Sequence, residues 1–448
     1  MTFRFRPTEF GLLLFSTAVF AIMLVSLEMS QGNAITGDML GLIGGFIGLF
    51  TVAHLALSFL APYADQILLP LASLLNGMGI VMLARIDIDK GWGLAPRQEM
   101  WTIVGILLFV LVLFFLRDHK SLTRYSYLLG AVGLFFLALP LVWPQPPESE
   151  ARIWIWLGPF SVQPGEFSKI LLLLFFAMLL VHKRSLFTVA GSRVFGLSLP
   201  RLRDLAPILV VWGIAIVIMG ISNDFGPALL LFSTVLGMMY MATGRVSWLI
   251  IGIILVFIGG AGIYQISDKI QNRFSNFLDP IGNYDAGGFQ LTQALFGMSW
   301  GGITGTGLGQ GHPNSVPVAH SDFILSAIGE ELGLVGLGAI LVIFALFVSR
   351  GFNTALQVRD SYGKLVAAGL ALTIAVQIFV VTGGISALLP MTGLTTPFMS
   401  AGGSSLMANY ILLAILLRIS NSARRPVTET TSDQSNALAN QNPIKQEV

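Results

Sequence analysis

Residues 163–184 read QPGEFSKILLLLFFAMLLVHKR. From Ile170 to Val181 no side chain is polar, and His182, Lys183 and Arg184 follow directly. Just ahead of the apolar body stand Glu166 and Lys169, three positions apart. That spacing puts both on one helix face, where pairing lowers the cost of holding charge beside lipid. A charge pair, an unbroken apolar body and a basic end together read as a membrane-crossing helix.

The pattern recurs along the chain. Of 448 residues, 54% are hydrophobic and only 11% charged, against about 25% charged in a soluble domain. A run of about 18 apolar residues crosses a hydrocarbon core about 30 Å thick, and in lipid each such segment must satisfy its own backbone. The expected fold is therefore an all-α, polytopic transmembrane bundle. Twelve spans are expected, near 10–30, 39–60, 67–84, 99–116, 124–143, 166–182, 205–220, 226–243, 246–264, 322–349, 364–384 and 400–418. Arg4 and Arg6 precede the first, and SLEMSQGNA after it lacks a small-residue cleavage site, so it reads as a retained anchor. With no cysteine, disulfides and thiolate metal sites are excluded.

Basic residues set the orientation. If the N-terminus is cytoplasmic, 18 of the 25 Lys and Arg fall on cytoplasmic segments, including RDHKSLTR (Arg117–Arg124) and RLRD (Arg201–Asp204). Outside remain Arg85, Lys90, Arg97, Arg152, Lys269 and Arg273, and Lys169 falls within a span. Both termini are then inside. Two outer segments are long, 144–165 and 265–321, the second being the longest stretch expected to be non-helical. Residues 1–66 form a two-helix N-terminal extension and 67–420 the membrane core. Residues 421–448 are polar and read as a disordered cytoplasmic tail.

Polar residues gather at the outer ends of the spans. Glu166 and Lys169 form either a structural ion pair or a substrate-facing one. Trp154 and Trp156 in RIWIWLG suit interface anchoring, and Arg152 beside them suits a phosphate. In SNDFGPALL, Asp224 is either a turn and cap residue or a functional one. Glycines 301, 302, 305, 307, 309 and 311 do not make a nucleotide loop, because the lysine and preceding strand are missing. They are expected to let the backbone turn tightly and approach a ligand closely. In VAHSDFILSAIGEELGLVG (Val318–Gly336), Asp322 falls at the first turn of the tenth span, where capping and the helix dipole favour its ionised form. Glu330 and Glu331 lie deeper and are expected to hold neighbouring helices together.

No His pair at helical spacing suggests a metal, and no Ser, His and Asp set has motif support. An outward-facing site without nucleotide either transports or acts on an already activated substrate, such as a sugar on a lipid pyrophosphate. A carboxylate beside amide, aromatic and basic groups suits a general base acting on a hydroxyl while phosphate leaves.

Five motifs, in order over about residues 67–420, resemble the SEDS family, the RodA and FtsW cell-wall polymerases. They are QPGEFSKI, NDFGPALL, FLDP with the following GGFQLTQALFGMSWGGITGTGLGQG, HSDFILSAIGEELGLVG, and ISALLPMTGLTTPFMSAGGSSLMANY. The resemblance implies a peptidoglycan glycosyltransferase that polymerises lipid II into glycan strands, with inversion, at the outer face of the cytoplasmic membrane. Asp322 is then the essential acid. Glu166, Lys169, Gln163, Trp154, Asp224, Gln293, His320 and Ser404 become substrate-binding candidates. The family often has a basic residue two before the Gln, where this chain has Ser161, so phosphate contact passes to Arg152, Lys169 or Arg273. The two extra spans resemble those of actinobacterial RodA-type members, which implies elongation and cell shape rather than division. A class B penicillin-binding protein is the implied partner, alongside membrane lipid and without nucleic acid. A divalent cation, Mg2+ or Mn2+, is implied at the leaving group, with no ligand set readable. The rival readings are a lipid II flippase or related transporter and a nonenzymatic scaffold.

Overall fold

The computed structural model describes residues 3–146, 151–158, 160–183 and 208–426, and the backbone alone at 184–188, 193–194, 197–198 and 202–207. Helices α1 (Pro7–Ser30) and α2 (Gly37–Leu60) precede α3 (Leu68–Lys90) and α4 (Leu94–Phe115). A single turn, α5 (Ser121–Arg124), leads into α6 (Ser126–Val142). An antiparallel pair, β1 (Ile155–Leu157) and β2 (Phe160–Val162), then enters α7 (Gly165–Thr188). Next come α8 (Leu202–Ile221), α9 (Phe225–Thr243) and α10 (Ser247–Ile266), with α11 (Asp268–Leu278) and α12 (Phe289–Gly301) in the long segment after them. The chain closes with α13 (Ile324–Glu331), α14 (Gly333–Gln357), α15 (Ser361–Ile385) and α16 (Gly403–Arg424).

Ten described helices are long and apolar enough to cross a membrane, and Ser126–Val142 and Ile208–Ile221 are shorter apolar ones. Together they fall on the twelve expected spans, and the protein is a multi-pass membrane protein. The bundle centre is made by α3 and α16, each 89% buried over its apolar window, whereas α10 is only 6% buried and lies at the rim. These central helices are less apolar than α10. The inversion follows from the solvent: lipid tails receive the greasiest faces, and polar groups are kept where other helices can bond them. Asn76 on α3, for instance, donates to Thr102 Oγ1 on α4 at 3.2 Å.

Three expectations need correction. The span expected at 322–349 is not one helix; it breaks at Leu332–Gly333 into α13 and α14. Gly333 takes φ +67°, and a Cβ there would collide with the backbone of Gly305 and Ile303. The intruding loop satisfies the exposed helix ends: Gly302 O and Ile303 O accept from Leu334 N and Val335 N, while Glu330 O and Glu331 O accept from Thr306 N and Gly307 N. Secondly, 265–321 is not a plain non-helical stretch but holds α11 and α12. Thirdly, the core does not stop at residue 420. α16 continues to Arg424, whose guanidinium meets buried Asp65 at 2.6 Å, and Asn421 Oδ1 accepts from Tyr63 N at 2.9 Å. Residues of the expected tail from 427 onward lie outside the described residues.

The N-terminal pair is bonded to the core by polar contacts. Fully buried Arg6 reaches Glu9 at 2.6 Å, Ala61 O at 2.8 Å and Asp65 O at 2.8 Å, and Glu9 also meets His54 at 2.7 Å. Asp65 in turn pairs with Arg350 on α14.

Candidate functional site

At the bundle end that carries the β1–β2 pair, a cavity of about 290 Å³ opens between α7, α9, the 320–321 turn and the segment entering α16. Trp154, Gln163, Glu166, Asp224, His320 and Ser404 line it, together with Gly393, Thr395 and Ser405. These residues come from distant parts of the chain. Glu166 sits in the first turn of α7, and Lys169, one turn on, pairs with it at 2.6 Å. Lys169 also reaches Gln377 Oε1 on α15 at 3.4 Å; Gln377 donates to Thr395 O at 2.7 Å, and Thr395 and Ser405 share a hydrogen bond of 2.9 Å. The pair thus anchors the wall opposite it. Gln163 is held through its backbone, its N–H donating to Ser404 Oγ at 2.8 Å.

Asp322 directly follows the lining residue Ser321 but does not itself line the cavity. The flanking backbone is fixed, with Ala401 N donating to His320 O at 2.8 Å and Ser400 Oγ to Ser321 O at 2.5 Å. Across from Asp322 lies Gly393, at φ +72°; a Cβ there would stand 3.3 Å from an Arg273 guanidinium nitrogen and 3.8 Å from Asp322 Oδ2. Arg273 and Asp322 thus flank Gly393. Arg273, on α11, is oriented by donating to Thr392 O at 3.1 Å.

Two sequence readings of these carboxylates change. Asp322 is neither in the first turn nor a cap: α13 starts at Ile324, its N-cap is Phe323, and no side chain caps it. Burial pushes the Asp322 carboxyl above the ordinary aspartate range, partly opposed by its own backbone amide and by Arg273. Asp224 is the N-cap of α9, yet its side chain makes no capping bond. Burial, then the Glu166 charge, raises it to about 6, against the pull of Lys269 and Arg273. Burial and then the Lys90 charge lower His320, favouring neutral imidazole.

Other expected residues fall elsewhere. Gln293, on α12, does not line the cavity; it donates to Tyr284 Oη at 2.8 Å. Arg152 is exposed, and its backbone N–H holds the Ser222 turn at 3.0 Å. None of the glycines of the 301–311 tract lines the cavity. A Cβ at Gly301, Gly305 or Gly311 would instead meet the residues that end α13, so these glycines seat the loop on that helix. Among the described residues, no three or more His, Asp or Glu side chains converge as a metal set. The described residues thus do not build a divalent site among themselves.

Missing from the sequence reading was a second cavity of about 830 Å³, joined to the first through Trp154, His320, Ala401 and Gly402. Trp92, Arg97, Gln98, Trp101 and Phe160 line it. Trp92 meets His320 edge-on at 5.5 Å, and Trp101 meets Phe160 at 5.8 Å. The available signal was two Trp residues at adjoining ends of α3 and α4. On the other side, an apolar groove of about 400 Å³ between α9, α10 and α11 runs to Arg273 and Thr392.

A model of the FtsW/RodA/SpoVE family, described as cell cycle protein, matches residues 65–425. The peptidoglycan glycosyltransferase RodA of Mycobacterium leprae is 49% identical over 94% of this chain and 92% of its own length. That of Mycobacterium tuberculosis H37Rv is 48% identical over 96% and 93%. A solved chain from a study of polymerization and crosslinking by a peptidoglycan synthase complex superposes with a TM-score of 0.67 at 26% identity, covering 81% of this chain and 99% of that one. By the extent of the family match and of the mycobacterial likeness, the chain belongs to the FtsW/RodA/SpoVE family.

Proposed function

We propose that this protein is a peptidoglycan glycosyltransferase that polymerises lipid II at the outer face of the cytoplasmic membrane, with both termini inside. The observation that carries the reading is Asp322 and Arg273 flanking Gly393, with Gly393 lining the polar cavity and Arg273 the end of the apolar groove. Asp322 takes the proton from the acceptor sugar 4-hydroxyl as that oxygen attacks the donor anomeric carbon. The anomeric C–O bond to phosphate breaks, inverting the carbon, and undecaprenyl pyrophosphate leaves. Burial raises the basicity of Asp322, which suits it to this role. Arg273 offsets the charge that develops on the leaving phosphate, and the apolar groove ending at that residue suits a polyprenyl chain. The wider cavity, with its indoles and Arg97, suits the saccharide.

The likeness to RodA proteins at 48–49% supports a role in elongation and cell shape. A class B penicillin-binding protein is the proposed partner, and a synthase complex among the structural relatives supports it. A groove of about 630 Å³ between α14 and α15 also does so. It is lined in part by Ala345, Ser349, Ala375, Thr382 and Gly383, and the Thr382 hydroxyl has no hydrogen-bond partner there. Small residues with an unpaired hydroxyl suit packing against another transmembrane helix.

The test is purified protein, with and without its partner, given labelled lipid II. The parent is expected to make glycan strands. Asp322→Asn is expected to insert, melt and bind lipid II like the parent and to make no polymer. A transporter would move lipid II between leaflets and leave it monomeric. Parental polymerisation by a folded Asn variant removes Asp322 from the mechanism.

A further inference from the structure

The segment between α12 and Asp322 is held by residues that the proposed chemistry does not use. Glu331, fully buried at the end of α13, pairs with Arg85 Nε at 2.6 Å and accepts from Gly309 N at 2.9 Å. Arg85, buried near the end of α3, extends a second arm to Gly311 O at 2.5 Å. Glu330 accepts from His312 N at 2.5 Å. From the opposite side Gln31, the residue after α1, donates to Gly309 O at 2.9 Å. Gly309 takes φ +85°, and a Cβ there would collide with Ser30 Oγ, so the end of α1 lies directly on the loop.

We infer that α1 and α3 brace the loop at 305–312 against α13 and so set the position of Asp322, making Gln31, Arg85 and Glu331 positioning residues for the reaction. The inference rests on the polymerase reading and deepens it. α13 spans only about 12 Å, and it connects Glu331 rigidly to the turn that carries Asp322. On the other flank, the loop held at Gly309–His312 leads to His320 and Ser321, which the 400–401 backbone grips. Asp322 therefore sits between two fixed supports, and slack in either shifts it against Arg273. Two chemical choices fit a brace better than packing alone. The guanidinium joins a carboxylate and a carbonyl at once, which a lysine cannot do in the same geometry. Removing either member of the buried pair leaves a charge without compensation. The contact from α1 comes from outside residues 65–425, the part of the chain matched by the family model. The N-terminal extension thereby acquires a task at the reacting end of the molecule.

The experiment uses full-length protein in detergent, with lipid II as substrate and amide hydrogen exchange as a second readout. Arg85→Lys keeps the charge but loses the fork. Gln31→Glu sets an acceptor against Gly309 O, and Gln31→Lys keeps a donor there. Arg85→Lys and Gln31→Glu are expected to lower kcat about ten- to a hundred-fold, the range that a misplaced catalytic group produces. KM is expected to stay within about two-fold, exchange over 305–322 to quicken, and Gln31→Lys to behave like the parent. Unchanged kcat and exchange in both variants would overturn the brace, as would a kcat loss that merely tracks loss of folded protein. If the parent itself makes no polymer, the polymerase reading fails, and exchange over 305–322 alone decides the brace.

Discussion

Asp224 lines the polar cavity and Asp322 follows Ser321, which also lines it; their carboxyls are displaced in the same direction for different mixtures of causes. Burial dominates both, but Asp224 is also repelled by Glu166, whereas Asp322 is pulled down by Arg273 and its own amide. A base that must be ionised loses activity as pH falls through its pKa. The acid limb of kcat/KM is therefore expected above 3.8, the ordinary aspartate value. Arg273→Gln should move it to higher pH, because the neighbouring positive charge is gone; a limb that stays in place separates Asp322 from that limb. Asp224 bears on stability instead. Its folded value of about 6 lies above the ordinary 3.8. Its contribution is thus fully present below the unfolded value and lost as pH rises through about 6. The melting temperature should rise as pH falls from 7 towards 5, and Asp224→Asn should flatten that slope.

The break between α13 and α14 organises the site at the level of elements. A continuous helix through 332–333 would leave no room for the loop at 302–307, whose carbonyl and N–H groups complete both helix ends. Gly333 permits this through a left-handed backbone and by lacking the Cβ that would strike Gly305 and Ile303. Gly333→Ala is expected to cost about 1–2 kcal/mol for the backbone conformation alone, and more for the collision with backbone that has little freedom to shift. Thermal unfolding in detergent and protease nicking at 301–314 measure it; an unchanged melting temperature with an intact loop would show that the break does not depend on this glycine. The break was not legible in SAIGEELGLVG, since glycines are ordinary in membrane helices and nothing marks Gly333 apart from Gly329 and Gly336. Its reason lies in a loop distant in sequence. The seating of the glycine tract on α13 was not legible for the same cause, because a backbone approaching a helix and one approaching a ligand need the same residue.

For the whole molecule, orientation can be tested directly, since the chain has no cysteine. Ser315 and Ser121 are both exposed, at opposite predicted faces. Ser315→Cys is expected to react with an impermeant maleimide on whole cells and Ser121→Cys only after permeabilisation. The reverse pattern would invert the map and place the cavity on the cytoplasmic side.

The succession of apolar helices, though not the break in the tenth, was legible in the sequence, because every lipid-crossing segment must satisfy its own backbone and show its own apolar length. Those are local demands, written locally. Most of the cavity's polar residues were also legible, since charged and amide groups at the ends of apolar spans are costly enough to need a purpose. Only tertiary structure decided how they meet. Arg273 and Asp322 flank Gly393, Arg85 pairs with Glu331 across 246 positions, Gln293 bonds Tyr284 and does not line the cavity, and Arg152 is exposed. Such pairings arise from how helices pack around one another, and each depends on side chains that no single segment contains.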